Sequence, residues 1–264
     1  MKESSCQFGS NRHLAGVLTE PAAASPRVAC VLINAGLVPK AGPFRLYAEL
    51  ARRLARDGFL TLRFDLGGIG DSPHAHSEQP LEVRTEREVM AAVDYLAERY
   101  DLQGIVLCGL CSGAEDSFRH AACDPRVTGV VMVDPFSYRT AGWRWRHLLH
   151  RAARRSLRAL GIYEPTESKG TRIVTYKYMD HAESSRILRV LIDRGVHVHF
   201  VYTGGRRDSF NHEQQLKAMF PEIDFRGLVT LDYFAHLEHT QIFEEDRRAL
   251  VDAIRRRLVA VLPS

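Results

Sequence analysis

The chain has 264 residues, 45% of them hydrophobic and 26% charged, with 36 Lys+Arg against 32 Asp+Glu. That length is enough for one large domain with its own core. The composition excludes a disordered, collagen-like or disulfide-scaffold protein, and a net charge of +4 is too balanced to point to a nucleic-acid partner. No apolar run approaches the roughly 18 residues of a membrane span, and the first sixteen residues contain no apolar stretch of a secretory signal. Five scattered cysteines form no disulfide framework and read as reduced thiols, so a cytoplasmic protein is expected. No His/Cys spacing suits a metal, and no cofactor is expected.

In chain order, residues 13–19 suggest an antiparallel edge strand. Residues 27–33 (RVACVLI) form a buried strand, followed by a helix over 44–56 with Leu46, Leu50 and Leu54 at helical spacing. Gly58 ends that helix. Strands follow at 59–64, 104–108 and 127–133, with helices at 83–99 and 114–122 between them. Residues 182–194 read as a helix, 196–202 (VHVHFVY) as a strand, 212–219 as a short helix, 228–233 as a strand and 243–262 as the last helix. Continuous apolar strands alternating with amphipathic helices predict a mainly parallel sheet covered on both faces. The whole chain, 1–264, reads as a single α/β domain. Residues 137–180 break the rhythm, are too long for a plain loop, and read as a partly helical insertion lying over the sheet.

The sharpest motif is Gly109-Leu110-Cys111-Ser112-Gly113, directly between a predicted strand and a predicted helix. A nucleophile held in a strained strand-to-helix turn needs small flanking residues, and the turn aims the middle side chain outward. Cys111 therefore reads as a nucleophile at a helix N-terminus, where the dipole favours an anion. The alternative is a small buried cysteine in a tight turn. Cys108 and Cys111 also form a C-x-x-C, but Cys108 should still lie in the strand and point away. A thiol nucleophile needs an imidazole oriented by a carboxylate. His239 lies between the last strand and the last helix, at the sheet edge where Cys111 emerges, and His236 is its rival in the same loop. For the acid, Asp208 follows Gly204-Gly205, a turn that could swing a carboxylate toward the last loop. Asp134, at the end of VVMVDPF, is the alternative. Two backbone donors should hold a developing oxyanion: the N–H of Ser112 and, after the first buried strand, the N–H of Leu37 in Asn34-Ala35-Gly36-Leu37.

These pieces, in this order, resemble the α/β-hydrolase superfamily over nearly the whole chain. Arg63-Phe64-Asp65-Leu66-Gly67-Gly68-Ile69-Gly70-Asp71-Ser72 is similar to the superfamily's RFDxRGxGxS stretch. The chain looks most like the serine-aminopeptidase-like esterases and the exosortase-associated hydrolases among them, which share a GLCSGA-type elbow. The resemblance implies an α/β-hydrolase fold: eight core strands, mainly parallel, with helices on both faces and a helical lid at 137–180. It carries the nucleophile role to Cys111, the acid to Asp208 and the base to His239. Two departures stand out. Cys111 replaces the usual serine, as in the dienelactone-hydrolase branch, and Ala35-Gly36 replaces the usual His-Gly.

The insertion carries Arg139, Arg144, Arg146, Arg151, Arg154, Arg155 and Arg158 with Trp143 and Trp145. It reads either as a basic, aromatic lid that binds substrate through Trp143, Arg144, Trp145 and Arg146, or as a solvated helix face; a membrane-surface role is also open. The expected activity is acyl hydrolysis (esterase or thioesterase) through a Cys-His-Asp triad and a thioester acyl-enzyme, on a small acyl substrate that could be carrier- or CoA-bound. The alternatives are an acyltransferase of a biosynthetic pathway and a non-catalytic binding protein on the same fold.

Overall fold

The computed structural model describes residues 1–22, 26–74, 79–159, 179–239 and 243–260. Eight strands form one sheet in the order β1-β2-β4-β3-β5-β6-β7-β8. They are β1 (Lys2–Phe8), β2 (Leu14–Glu20), β3 (Val28–Ile33), β4 (Leu60–Phe64), β5 (Gly104–Leu110), β6 (Val127–Val133), β7 (His197–Thr203) and β8 (Val229–Phe234). Only β2 runs against the rest: it is antiparallel to both β1 and β4, and the remaining pairs are parallel. The expectation of a mainly parallel, eight-stranded sheet with helices on both faces holds.

The helices are α1 (Leu46–Arg56), α2 (Leu81–Ala97), α3 (Ser112–Cys123), α4 (Ala141–Ala159), α5 (His181–Asp193), α6 (Gln215–Met219) and α7 (Glu244–Ala260). Strand alternation divides the core in two. Ala29, Val31 and Ile33 of β3 join one layer with Val89 and Val93 of α2, Phe118 of α3 and Leu188 of α5. Val28, Cys30 and Leu32 face the other layer with Leu50 and Leu54 of α1 and Leu250 and Ile254 of α7. Cys108 belongs to this second layer and is buried, as its place in the strand predicts.

Three details differ from the expected elements. β1 was not anticipated: KESSCQF is mostly polar and exposed, because it is an edge strand that pairs on one side only. α1 begins at Leu46 rather than residue 44, because Phe44 and Arg45 have left-handed φ of 47° and 69°. α3 begins at Ser112, directly after the elbow. Of the insertion expected over 137–180, α4 occupies Ala141–Ala159, and residues 160–178 lie outside the described residues.

β3 has β4 on one side and β5 on the other. The connections leaving β3 and β5 at their carboxyl ends therefore diverge to opposite faces, which opens a crevice there. Tyr47 of α1 closes the space beneath it: its buried hydroxyl donates to Ile33 O and accepts from Leu110 N, both at 2.9 Å.

On α3, Glu115 is fully buried and accepts from Met179 N at 3.0 Å. Its other oxygen has no hydrogen-bond partner. Burial pushes this carboxyl up to about 7, only partly offset by the Met179 N–H. A carboxyl raised in the folded state gives stability that is complete below its ordinary pKa near 4.5 and is lost as pH rises through about 7. Glu115→Gln should therefore unfold at higher denaturant than the parent at pH 8, by about 2–3 kcal/mol. At pH 4 the two should be nearly equal; no gain at pH 8 would contradict the assignment.

Candidate active site

The strained turn expected between β5 and α3 is present. Cys111 has φ 56° and ψ −116°, outside the ordinary regions for a residue with a side chain. Its N–H bonds to Val133 O at 2.8 Å, and its carbonyl starts α3 by accepting from Ala114 N at 3.1 Å. The flanking glycines are obligatory because backbone meets backbone. A Cβ on Gly109 would lie 2.1 Å from Gly113 C, and one on Gly113 would lie 2.3 Å from Asn34 O. The pentapeptide thus has the strained, glycine-flanked strand-to-helix geometry that its sequence predicts.

The acid is where the structure departs from the expectation. His239 Nδ1 lies 2.7 Å from Asp134 Oδ2, not at Asp208. Asp134 leaves the end of β6 with φ 49° and is fully buried. Thr203 fixes it twice, donating from its N–H to Oδ1 and from its hydroxyl to Oδ2, each at 2.7 Å. Asp208 is exposed; Ser209 Oγ reaches its carboxylate at 3.4 Å, and its carbonyl accepts from Arg139. The reason lies in the glycine pair. A Cβ on Gly204 would be 2.2 Å from Ala235 O, and one on Gly205 would be 2.5 Å from His239 N. The glycines let the histidine loop pack directly on the turn after β7, with Gly205 N bonded to Leu237 O at 3.2 Å. They do not swing a carboxylate.

Cys111 is the other neighbour that acts on His239. Burial alone would lower the pKa of the ring; the bond to Asp134 and the neighbouring Cys111 overcome it and raise the pKa to about 9. His239 is therefore protonated at neutral pH. His236, the rival histidine, is exposed and turns its ring toward Phe234.

The loop after β3 lies alongside. Gly36 N donates to Ser112 Oγ at 2.7 Å, so the Ser112 hydroxyl ties this loop to the elbow. Asn34 clamps the loop from within: its side chain donates to Val38 O at 2.7 Å and accepts from Leu66 N at 2.8 Å. Buried Asp65 accepts from both the N–H and the ammonium of Lys40 at 2.6 Å. The short stretch from Gly67 to Ser72 leaves room for it: a Cβ on Gly70 would lie 2.3 Å from Asp65 Oδ2. Leu37, at the tip, is 80% exposed. The roles of Asn34, Lys40 and Asp65 were not read from the sequence. The RFD stretch was the available signal for Asp65; nothing local marks its partner 25 residues earlier.

The four residues expected to form one substrate-binding surface divide between two sides of α4. Trp143 is buried and donates from Nε1 to Arg207 O at 3.2 Å, and Arg146 Nε bonds to Asn211 Oδ1 at 2.9 Å. These two fasten the helix to the turn after β7. Arg144 and Trp145 are exposed. Among the described residues, no cluster of three or more His, Cys, Asp or Glu could hold a metal, and no helix is long and apolar enough to cross a membrane.

Several solved structures share the fold. The α/β hydrolase GrgF from Penicillium sp. sh18 is 17% identical, with 98% of this chain and 100% of that chain covered at a TM-score of 0.61. XC6422 from Xanthomonas campestris, described as an a/b serine hydrolase without lid, is 12% identical over 100% of this chain and 97% of that one, at 0.62. The esterase PF2001 of Pyrococcus furiosus is 12% identical over 99% and 91%, also at 0.62. No curated protein matches the chain. At the level of sequence, the family model for serine aminopeptidase, S33, matches residues 25–246, a span that contains the elbow, Asp134 and His239. The chain belongs to that family, and with it to the α/β-hydrolase superfamily of hydrolytic enzymes.

Proposed function

We propose that this hydrolase is an acyl hydrolase, an esterase or thioesterase, that works through Cys111, His239 and Asp134. One observation carries the reading: buried Asp134 is hydrogen-bonded to His239, which has Cys111 of the strained elbow as its other electrostatic neighbour. The thiolate of Cys111 attacks the acyl carbonyl. The resulting oxyanion is held by the backbone N–H groups of Ser112 and Leu37. His239 gives its proton to the leaving alcohol or thiol as the carbonyl re-forms, leaving a thioester on Cys111. Water, deprotonated by His239, then attacks the thioester; the carboxylic acid leaves and the thiol is restored. Asp134 holds the imidazole in the required tautomer throughout and stabilises its charge.

The cysteine favours a second reading. A thioester is more open than an oxyester to amines and thiols, so transfer of the acyl group to a non-water acceptor competes with hydrolysis. A non-catalytic binding protein is disfavoured, because candidates for nucleophile, base and acid are all present and the last two are hydrogen-bonded.

Turnover of p-nitrophenyl esters and acyl thioesters, with and without amine or thiol acceptors, tests these readings. Asp134→Asn should lower kcat by roughly 10⁴-fold with the fold intact, while Asp208→Asn should stay close to the parent. The opposite ranking would return the acid to the turn after β7.

The pH profile offers a second test. His239 must be protonated to release the leaving group, and its pKa is raised to about 9. The alkaline limb of kcat/KM should therefore lie near pH 9. In any residual activity of Asp134→Asn it should move to lower pH, because a contact that raises the pKa is gone.

Iodoacetamide should modify Cys111 first and abolish activity in step with labelling. Cys30 and Cys108 are buried, Cys6 is held above the usual thiol range by burial, and exposed Cys123 has no imidazolium contact among the described residues. Peptide mapping by mass spectrometry reads the order; an acyl group found on Ser112, or activity surviving in Cys111→Ala, would overturn the nucleophile assignment.

A further inference from the structure

α4 contains six arginines and no acidic residue in 19 residues. Those six exceed the net charge of the whole chain, +4, so the remainder is net negative. Among the described residues, Trp143 and Arg146 fasten one side of the helix. The opposite side presents Trp145, Leu148 and Leu149, three and four residues apart, at 68%, 56% and 64% exposure. Residues at that spacing share one face of a helix. Ala152 continues the apolar stripe, and exposed Arg144, Arg151 and Arg155 run beside it, again at helical spacing.

Large exposed apolar residues are informative when they gather, and among the described residues all but Met1, Met90 and Val259 stand on α4 or on connections at one edge of the sheet. Leu37 and Phe44 stand on the connection leaving β3, Leu81 and Val83 in the first turn of α2 after β4, and Phe243 on the connection leaving β8. α4 itself follows β6. All of these connections leave carboxyl ends of strands, the edge at which Cys111 emerges.

We propose that α4 docks the protein on an anionic lipid surface, with Trp145, Leu148 and Leu149 entering the headgroup–acyl boundary and Arg144, Arg151 and Arg155 pairing with lipid phosphates. Two features favour a lipid surface over a protein partner. The apolar residues are spread over several connections around one edge, as contact with a broad apolar phase requires, rather than confined to one compact patch. The stripe is also flanked by a row of arginines, the pattern of a helix lying in a membrane interface. The occupant is the lipid headgroup layer and not a free phosphate, because phosphate alone leaves the apolar stripe uncovered. The proposal does not depend on which bond the active site cleaves.

Vesicle partition tests it directly. The intact protein should co-sediment with equimolar phosphatidylglycerol–phosphatidylcholine vesicles and much more weakly with phosphatidylcholine alone. Trp145, the exposed one of the two tryptophans, should blue-shift on binding, and Trp145→Phe should remove that shift. Leu148→Ser combined with Leu149→Ser should reduce partition by at least tenfold. Each of Arg151→Gln and Arg155→Gln should reduce it about fivefold. Inorganic phosphate should not reproduce the fluorescence shift. These side chains are exposed, so circular dichroism of the variants should match the parent. Failure to bind anionic vesicles overturns the proposal, as does binding that survives loss of both leucines. Self-association of the parent without lipid, abolished by the same leucine variants, would give the face to a second copy of the chain instead.

Discussion

The fold and the site both depend on a contact between backbones. At the elbow, Gly113 lies so close to the carbonyls of Ile33 and Asn34 that no side chain fits between them. This contact fixes the start of α3 against the end of β3. It therefore sets how far Cys111 stands from the loop that carries Leu37. Gly109 and Gly113 are needed for proximity, and Cys111 absorbs the strain in its own φ and ψ. Tyr47 closes the same junction from below by pairing with both strands.

Charge is arranged around that junction in the same economical way. The buried carboxylate of Asp134 is satisfied by Thr203 and by His239, so it needs no water and has one orientation. The imidazole then sits between a fixed anion and a thiol. That placement keeps it charged despite burial, whereas Glu115, one helical turn beyond Cys111, has no opposite charge strong enough to offset burial and is pushed toward its neutral form. Two ionisable groups under the same desolvation pressure thus have opposite fates, decided by their partners.

Much of this was legible in the sequence, for physical reasons. The central strands are buried on both faces and read as continuous apolar runs; residues 127–133 were assigned as a strand with the bounds the structure gives. The elbow was legible because its requirements are local, a strand, two glycines and a helix within a few residues. β1 was not, since an edge strand with one pairing side carries no strong apolar signal. Nor was the choice between Asp134 and Asp208. His239 and Asp134 are 105 residues apart, and Gly204-Gly205 gives the same local signal whether it serves flexibility or close packing. The structure shows packing there, and the carboxylate bonded to His239 is that of Asp134. The insertion was legible as partly helical, basic and aromatic, but which of its residues face inward depended on the turn that receives it.

That turn, residues 204–211, supports more than it first suggests. Its glycines receive the loop of His239, while Arg207, Asp208 and Asn211 receive the anchors Trp143, Arg139 and Arg146 on and before α4. His239 and the surface helix therefore bear on a single mount. A load applied to the outer face of α4 has a short, fully packed path to the imidazole, and stiffening or loosening this one turn would alter the helix and the base together.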